Sequence, residues 1–358
     1  MVTILATVLV LSIMIFVHEL GHFLGAKLFG IRVERFSMGY PPRLFGKKIG
    51  ETDYCVSLIP FGGYVKISGM VDESLDSETL KSEPKPWEYR ARSWIQRFTV
   101  LVAGPLMNLM LGVVILVSIN WIYGVPDPVP PVIGRVMDAS PAQEAGLEPG
   151  DRIVSLGNRK VETWDVLWET IYQNPHQTVT VEWMRNDSVF SSSVTLEGIK
   201  TEGLGDSILV GRMGIQVADT VLVIRKNFFG GLTRGVGDAA RFSLLILDLV
   251  YKLITGQESL RSLAGPVGIA RMAGESARSG FGPLVLFMAI LSLNLGVINL
   301  LPLPVFDGGH LLMLTFEGVT RREIPLKVKL IIQQVGMVLL LVLMVVIIYN
   351  DIIRFVLK

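Results

Sequence analysis

From Met1 to Val17 the chain carries no charged residue, and this apolar run ends in Val17-His18-Glu19-Leu20-Gly21-His22. The run extends roughly from Val2 to Leu24, and about 20 apolar residues are enough to cross the hydrocarbon of a bilayer. Backbone in lipid must satisfy its own hydrogen bonds, so such a stretch has to be a helix. On a helix, positions i and i+4 share a face. His18 and His22 can therefore turn ring nitrogens toward one metal ion, and Glu19 can hold a water there as general base. Ionisable groups inside a span are costly and mark a functional site. At about 1.5 Å per residue, His18 lies roughly 25 Å along the helix, inside the membrane but near its far face.

The rest of the composition agrees with a membrane protein that has a soluble part. Half of the residues are hydrophobic and 18% are charged, with a mean hydropathy of +0.51, too apolar for an ordinary soluble chain. A net charge of +1 gives no reason to expect a nucleic-acid partner. Cys55 is the single cysteine, which excludes an intrachain disulfide and a cysteine zinc site. The first lysine is Lys27, so the N-terminus lacks the basic region of a signal peptide and reads as a retained span.

Four segments follow from the pattern. Residues 1–125 form an N-terminal membrane half. Within it, Phe36–Pro42 and Tyr54–Val65 have strand composition broken by glycine and proline, as β-hairpins that either dip into the membrane or stay in the cytosol. Residues 72–88 are acidic and polar and read as a surface loop. A second span runs from about Phe98 to Tyr123. In it, Ala103-Gly104 would let another helix come close, and Asn108 is a lone amide that should face protein. Prolines 126, 128, 130 and 131 stiffen the exit. Residues 126–218 are a soluble α+β domain. Ser140-Pro141 opens a short helix, Trp164–Tyr172 forms a second, and Thr178–Met184 and Val189–Leu196 are strands. Residues 219–281 are an extracytoplasmic amphipathic helical segment, in which residues 228–256 begin Gly-rich and become an apolar helix from Phe242 to Ile254, on the membrane surface or re-entrant. Residues 282–358 hold a third span, Leu284 to Leu301, and a fourth, about Leu330 to Tyr349.

Lys27, Arg32, Arg35, Arg90, Arg92 and Arg97 flank the first connection, and Arg321, Arg322, Lys327 and Lys329 lie between spans three and four. By the positive-inside rule both connections are cytosolic and the soluble domain is extracytoplasmic. A catalytic zinc site usually has three protein ligands. Asp307, at the end of span three, is the favoured third ligand, because that span runs in the same direction as the first. His310 is the competitor.

These motifs resemble the site-2 protease family of intramembrane zinc proteases, in its bacterial branch that cuts anti-sigma factors. The matching pieces are His18-Glu19-Leu20-Gly21-His22, Phe61-Gly62-Gly63-Tyr64-Val65, Ala103-Gly104-Pro105-Leu106-Met107-Asn108, Gly265-Pro266-Val267-Gly268, and Asn299 through Asp307-Gly308-Gly309. Phe306 stands where the family usually has leucine before Asp-Gly. Residues 126–218 resemble a single PDZ domain, through Ser140-Pro141-Ala142 and Ala145-Gly146-Leu147-Glu148-Pro149-Gly150-Asp151. The resemblance implies a polytopic α-helical protein of the bacterial inner membrane with four transmembrane helices, membrane-associated β-hairpins and an inserted PDZ domain. It implies Zn2+ as cofactor and Glu19 as the base that activates water. Its substrates would be single-span membrane proteins, of anti-sigma-factor or remnant-signal-peptide type. Asn299 would hold the substrate strand, with Asn294, Gly62, Gly63, Pro302 and Pro304 as further substrate-binding candidates. The PDZ domain could take a peptide C-terminus. The rivals are an inactive PDZ-bearing scaffold, which should have lost Glu19, and a metal transporter, which should show internal repeats.

Overall fold

In the computed structural model the apolar N-terminus is one 27-residue helix, α1 (Val2–Leu28). The structure describes residues 1–70, 83–126, 129–202, 207–218, 223–224, 228–260 and 263–355. Most of the loop expected at 72–88 lies outside them. The chain divides into two compact units, Met1–Asn120 with Phe229–Lys358, and Trp121–Phe228.

In the first unit two long strands follow α1, β1 (Val33–Ile49) and β2 (Thr52–Ile67). They are longer than the two stretches read from composition, and both bend. Val33–Met38 lies between Gly63–Ile67 on one side and Asp53–Val56 on the other, while Arg43–Ile49 pairs back on Thr52–Ser57. Bending lets two strands make a small sheet whose apolar start packs on the helix. Ala26, Ile31, Val33, Ile67 and Val100 form one buried cluster. Val100 belongs to α2 (Trp94–Ile122), which carries Pro105 in its interior.

The second unit contains the segment expected as a soluble α+β domain. Its strands are β3 (Val125–Pro126), β4 (Ile133–Val136), β5 (Arg152–Leu156), β6 (Arg159–Lys160), β7 (Thr178–Arg185), β8 (Ser188–Thr195), β9 (Glu197–Glu202), β10 (Ser207–Arg212), β11 (Ile215–Val217) and β12 (Val223–Ile224). Two helices, α3 (Pro141–Glu144) and α4 (Trp164–Tyr172), accompany them. A four-stranded sheet has the order β6-β5-β7-β8, and β4 pairs with β11. Ile133, Ile153, Leu156, Leu167, Val181 and Met213 fill the core. Ser140 caps α3 by accepting from the Gln143 N–H at 3.4 Å, as its sequence position predicts. Asp151 of the Pro-Gly-Asp turn is 1% exposed. Arg185 holds it with two donors, each at 2.7 Å.

The first unit resumes with α5 (Phe228–Ile254), α6 (Pro266–Ser279), α7 (Phe281–Leu300), α8 (Asp307–Thr320) and α9 (Leu326–Phe355). Two expectations are corrected. The amphipathic helix starts at Phe228, not Phe242. Its early glycines do not break it, because Gly231, Gly235 and Ala239 form a buried stripe of small residues that lets α5 touch the α2 backbone at Val117. Span three ends at Leu300, and Asp307 begins a further helix that the prolines had hidden. Four helices among the described residues, α1, α2, α7 and most of α9, are long and apolar enough to cross a membrane. Near the far end of α9, the buried Asp351 carboxylate accepts from the Gly265 and Gly268 N–H groups at 3.2 and 2.9 Å. It thereby caps α6, which packs along α1.

Backbones come into close contact where α1 crosses α2. A Cβ at Gly21 would collide with the Ala103 carbonyl and lie 2.8 Å from the Gly104 Cα. Both atoms are backbone and cannot swing away. Overpacking of this kind costs about 1–3 kcal/mol. Gly21→Val should therefore lower the melting temperature of the full-length protein in detergent, and its zinc content with it. Leu24→Val, at a position 49% exposed, should change neither.

Candidate metal centre

His18, Glu19 and His22 lie in the C-terminal half of α1, and α2 positions the two rings. His22 is 7% exposed and His18 is 9% exposed. The His22 Nδ1–H donates to the Val100 carbonyl of α2 at 2.9 Å. Gly104 leaves the space that the His22 ring occupies, since a Cβ there would overlap the imidazole. Asn108, one turn further along α2, brings its Nδ2 to 3.5 Å from His18 Nδ1. With their outer nitrogens facing α2, both rings turn Nε2 inward, and the two Nε2 atoms are 3.2 Å apart.

The third group comes from the turn between α7 and α8. Leu301 to Phe306 cannot form a regular helix with prolines at 302 and 304. The turn folds back through hydrogen bonds from the Leu303 N–H to the Leu301 carbonyl and from the Phe306 N–H to the Leu303 carbonyl. Asp307 then starts α8, where the N-terminal end of a helix favours a carboxylate. Its Oδ2 lies 3.3 Å from His18 Nε2 and its Oδ1 lies 3.3 Å from His22 Nε2. Burial alone would raise the Asp307 carboxyl, but the two imidazoles outweigh it and hold the group below the ordinary carboxylate range. Donor atoms of His18, His22 and Asp307 all lie within 4.8 Å of one another. Two imidazole nitrogens and a carboxylate are the donor set of an open zinc site, with room for one more ligand.

His310 sits elsewhere. Gln333 of α9 donates through Nε2 to His310 Nε2 at 2.9 Å. The pair lines a separate cavity of about 60 Å³ with Tyr89, Leu101, Glu317 and Lys329. Burial pushes the His310 imidazole down, with Asp307 opposing.

The other candidates divide. Asn299 is buried, and its Nδ2 stands 3.5 Å from His18 Nε2. Asn294 is half-buried, five positions earlier and so about 140° away round α7. Among the described residues, the side-chain hydrogen bonds to His18 come from Asn108, His22 and Asn299. Gly63 packs against α1, where a Cβ would meet Ile15 Cγ2 at 3.4 Å and Glu19 Cγ at 3.7 Å. Gly62 has φ +144°, and the Tyr40 ring occupies the place of its missing side chain. Both glycines line a cleft of about 110 Å³ together with Ser12, Phe16, Glu19 and Met38. Ser12, Phe16 and Glu19 follow i, i+4, i+7 spacing, so one face of α1 carries the cleft into the centre. Pro302 is exposed, and Pro304 packs toward Gly336 of α9. Sequence reading missed the Val100 carbonyl, which has no side-chain signature. For Asn108 the sequence signal is a lone amide in an apolar span, which places it against protein without naming its partner.

The sequence profile of peptidase family M50 matches residues 6–343. The chain belongs to this family. As an M50 peptidase it is a zinc metalloprotease of the site-2 type, as the motifs implied. A Clostridium perfringens protein with a zinc metalloprotease name is 35% identical over 98% of each chain. The regulator of sigma-W protease RasP of Bacillus subtilis is 29% identical, again over 98% of each. A solved PDZ domain of an SdrC-like protein from Listeria monocytogenes aligns with 26% of this chain and 93% of its own, at 20% identity and a TM-score of 0.22.

Proposed function

We propose that this M50 peptidase cuts the transmembrane segment of single-span membrane proteins, of anti-sigma-factor or remnant-signal-peptide type. The observation that carries the proposal is the gathering of His18, His22 and Asp307 at the inner end of a 27-residue apolar helix. A hydrolytic centre placed there serves peptide bonds that lie in the membrane.

In this reading His18, His22 and Asp307 would hold the zinc. The ion supplies a Lewis acid that polarises a carbonyl and acidifies water. Glu19 is the general base. Its carboxylate takes a proton from the attacking water and returns it to the leaving amide nitrogen, a role worth about 10²–10⁴ in rate. The Asn299 amide points its Nδ2 at the same centre and can donate to the substrate carbonyl oxygen.

A helical substrate must unwind to be cut, and unwound backbone in lipid needs partners. Gly62-Gly63 places the end of β2 beside Glu19, where an extended segment can add to the strand edge. Pro302 and Pro304 keep the segment before Asp307 out of regular helix. Residues 126–218 serve as a PDZ domain that either captures a substrate C-terminus or excludes bulky outer domains. Deleting it separates the two roles, because capture predicts lost cleavage and exclusion predicts cleavage of untrimmed substrates.

In this reading the protein resides in the bacterial cytoplasmic membrane, with the inserted domain at residues 126–218 extracytoplasmic and the active site near the cytosolic face. The supporting feature is the lysine and arginine excess in the two connections assigned to the cytosol.

Two experiments test this. Glu19→Gln should retain zinc by elemental analysis while cleavage of a single-span reporter falls at least 100-fold, and full activity in that variant would remove the assignment. A cysteine at Ser188 should react with a membrane-impermeant maleimide on intact cells while Cys55 is spared. The reverse labelling would invert the topology.

A further inference from the structure

The outer nitrogens of the two histidines are treated differently by α2. His22 Nδ1 has a backbone carbonyl, Val100, at 2.9 Å. His18 Nδ1 faces the amide of Asn108, with Nδ2 at 3.5 Å. Asn108 is 0% exposed, and its Oδ1 has no hydrogen-bond partner among the described residues. A neutral imidazole that offers Nε2 as ligand carries its proton on Nδ1. His18 turns Nε2 toward Asp307 and His22, so Nδ1–H is a donor. As drawn, two donors oppose each other while a buried acceptor goes unused. Oxygen and nitrogen of an amide are interchangeable by a half-turn, and the hydrogen-bond network decides between them. Turning the Asn108 amide puts Oδ1 opposite His18 Nδ1–H and resolves both faults.

We infer that Asn108 is a positioning residue for the metal centre: its side-chain oxygen accepts from His18 Nδ1–H, fixing the tautomer and aim of the ring. The Ser292 hydroxyl donates to the Asn108 carbonyl at 2.8 Å, and this bond ties the turn of α2 that carries Asn108 to α7. The helix that also bears Asn299 therefore steadies the group that steadies His18. The Gly104 carbonyl also faces the His18 ring and is the competing acceptor.

The inference rests on the zinc reading above, and the test separates the two. Zinc affinity of the full-length protein in detergent is measured by competition with a chelator, and the visible spectrum of the Co2+-substituted protein is recorded. Wild type without zinc would overturn the reading and this inference together. With wild type loaded, Asn108→Leu, which keeps the volume and removes the acceptor, should lose about tenfold to a hundredfold in affinity and shift the Co2+ bands. Asn108→Asp, which accepts but cannot donate, should return within a few-fold of wild type. Thermal melting of the metal-free variants identifies any that do not fold. If Asn108→Asp fails that check, Asn108→Leu alone decides. Unchanged affinity in Asn108→Leu would show that the Gly104 carbonyl suffices and would overturn the role. Equal losses in folded Asn108→Leu and Asn108→Asp would assign the effect to the amide donor and overturn it as well.

Discussion

Three ionisable side chains from two distant parts of the chain meet in an interior that water does not freely reach. Each alone would be costly there. Together, two imidazole nitrogens and a carboxylate at 3.3 Å form a site whose members are satisfied by one another and would suit a divalent cation. Much of the first unit is arranged to make that meeting possible. Gly21 and Gly104 bring α1 and α2 into backbone contact, so that α2 can hold both rings from behind. The Leu301–Phe306 turn reverses the chain after α7 and presents Asp307 at the start of a new helix.

The same arrangement leaves one side of α1 open. Ser12, Phe16 and Glu19 line a cleft with the last part of β2, and glycines at 62 and 63 keep side chains out of it. A buried metal centre that must act on a peptide needs such an approach, because the reacting backbone has to lie within hydrogen-bond reach of the base. Rigid support behind the histidines and space in front of them are supplied by different elements. Substitutions in α2 should therefore act on the metal, and substitutions in β2 on the peptide.

Much of this was legible in the sequence for a plain physical reason. Spans are read from long apolar runs, and His-Glu-x-x-His states its geometry through helical spacing. Asp307 was reached from the parallel course of the first and third spans. The helix it begins was not, since Pro302 and Pro304 suggested only irregular chain. Glycines misled in the other direction at α5, where Gly231 and Gly235 serve a close helix contact and not a break. The double pairing of β1 with β2 depends on bends that composition does not encode. Asn108 was visible as an odd residue, but its partner lies 90 positions away and only the fold brings them together.

The central claim is a zinc ion held by two imidazoles and one carboxylate. X-ray absorption at the zinc edge of the purified full-length protein reads it directly, because imidazole rings give a countable multiple-scattering signature. The account predicts two imidazoles, with the remaining ligands oxygen at about 2.0–2.2 Å and no sulfur. A third imidazole would bring His310 into the shell in place of Asp307 and contradict the geometry described.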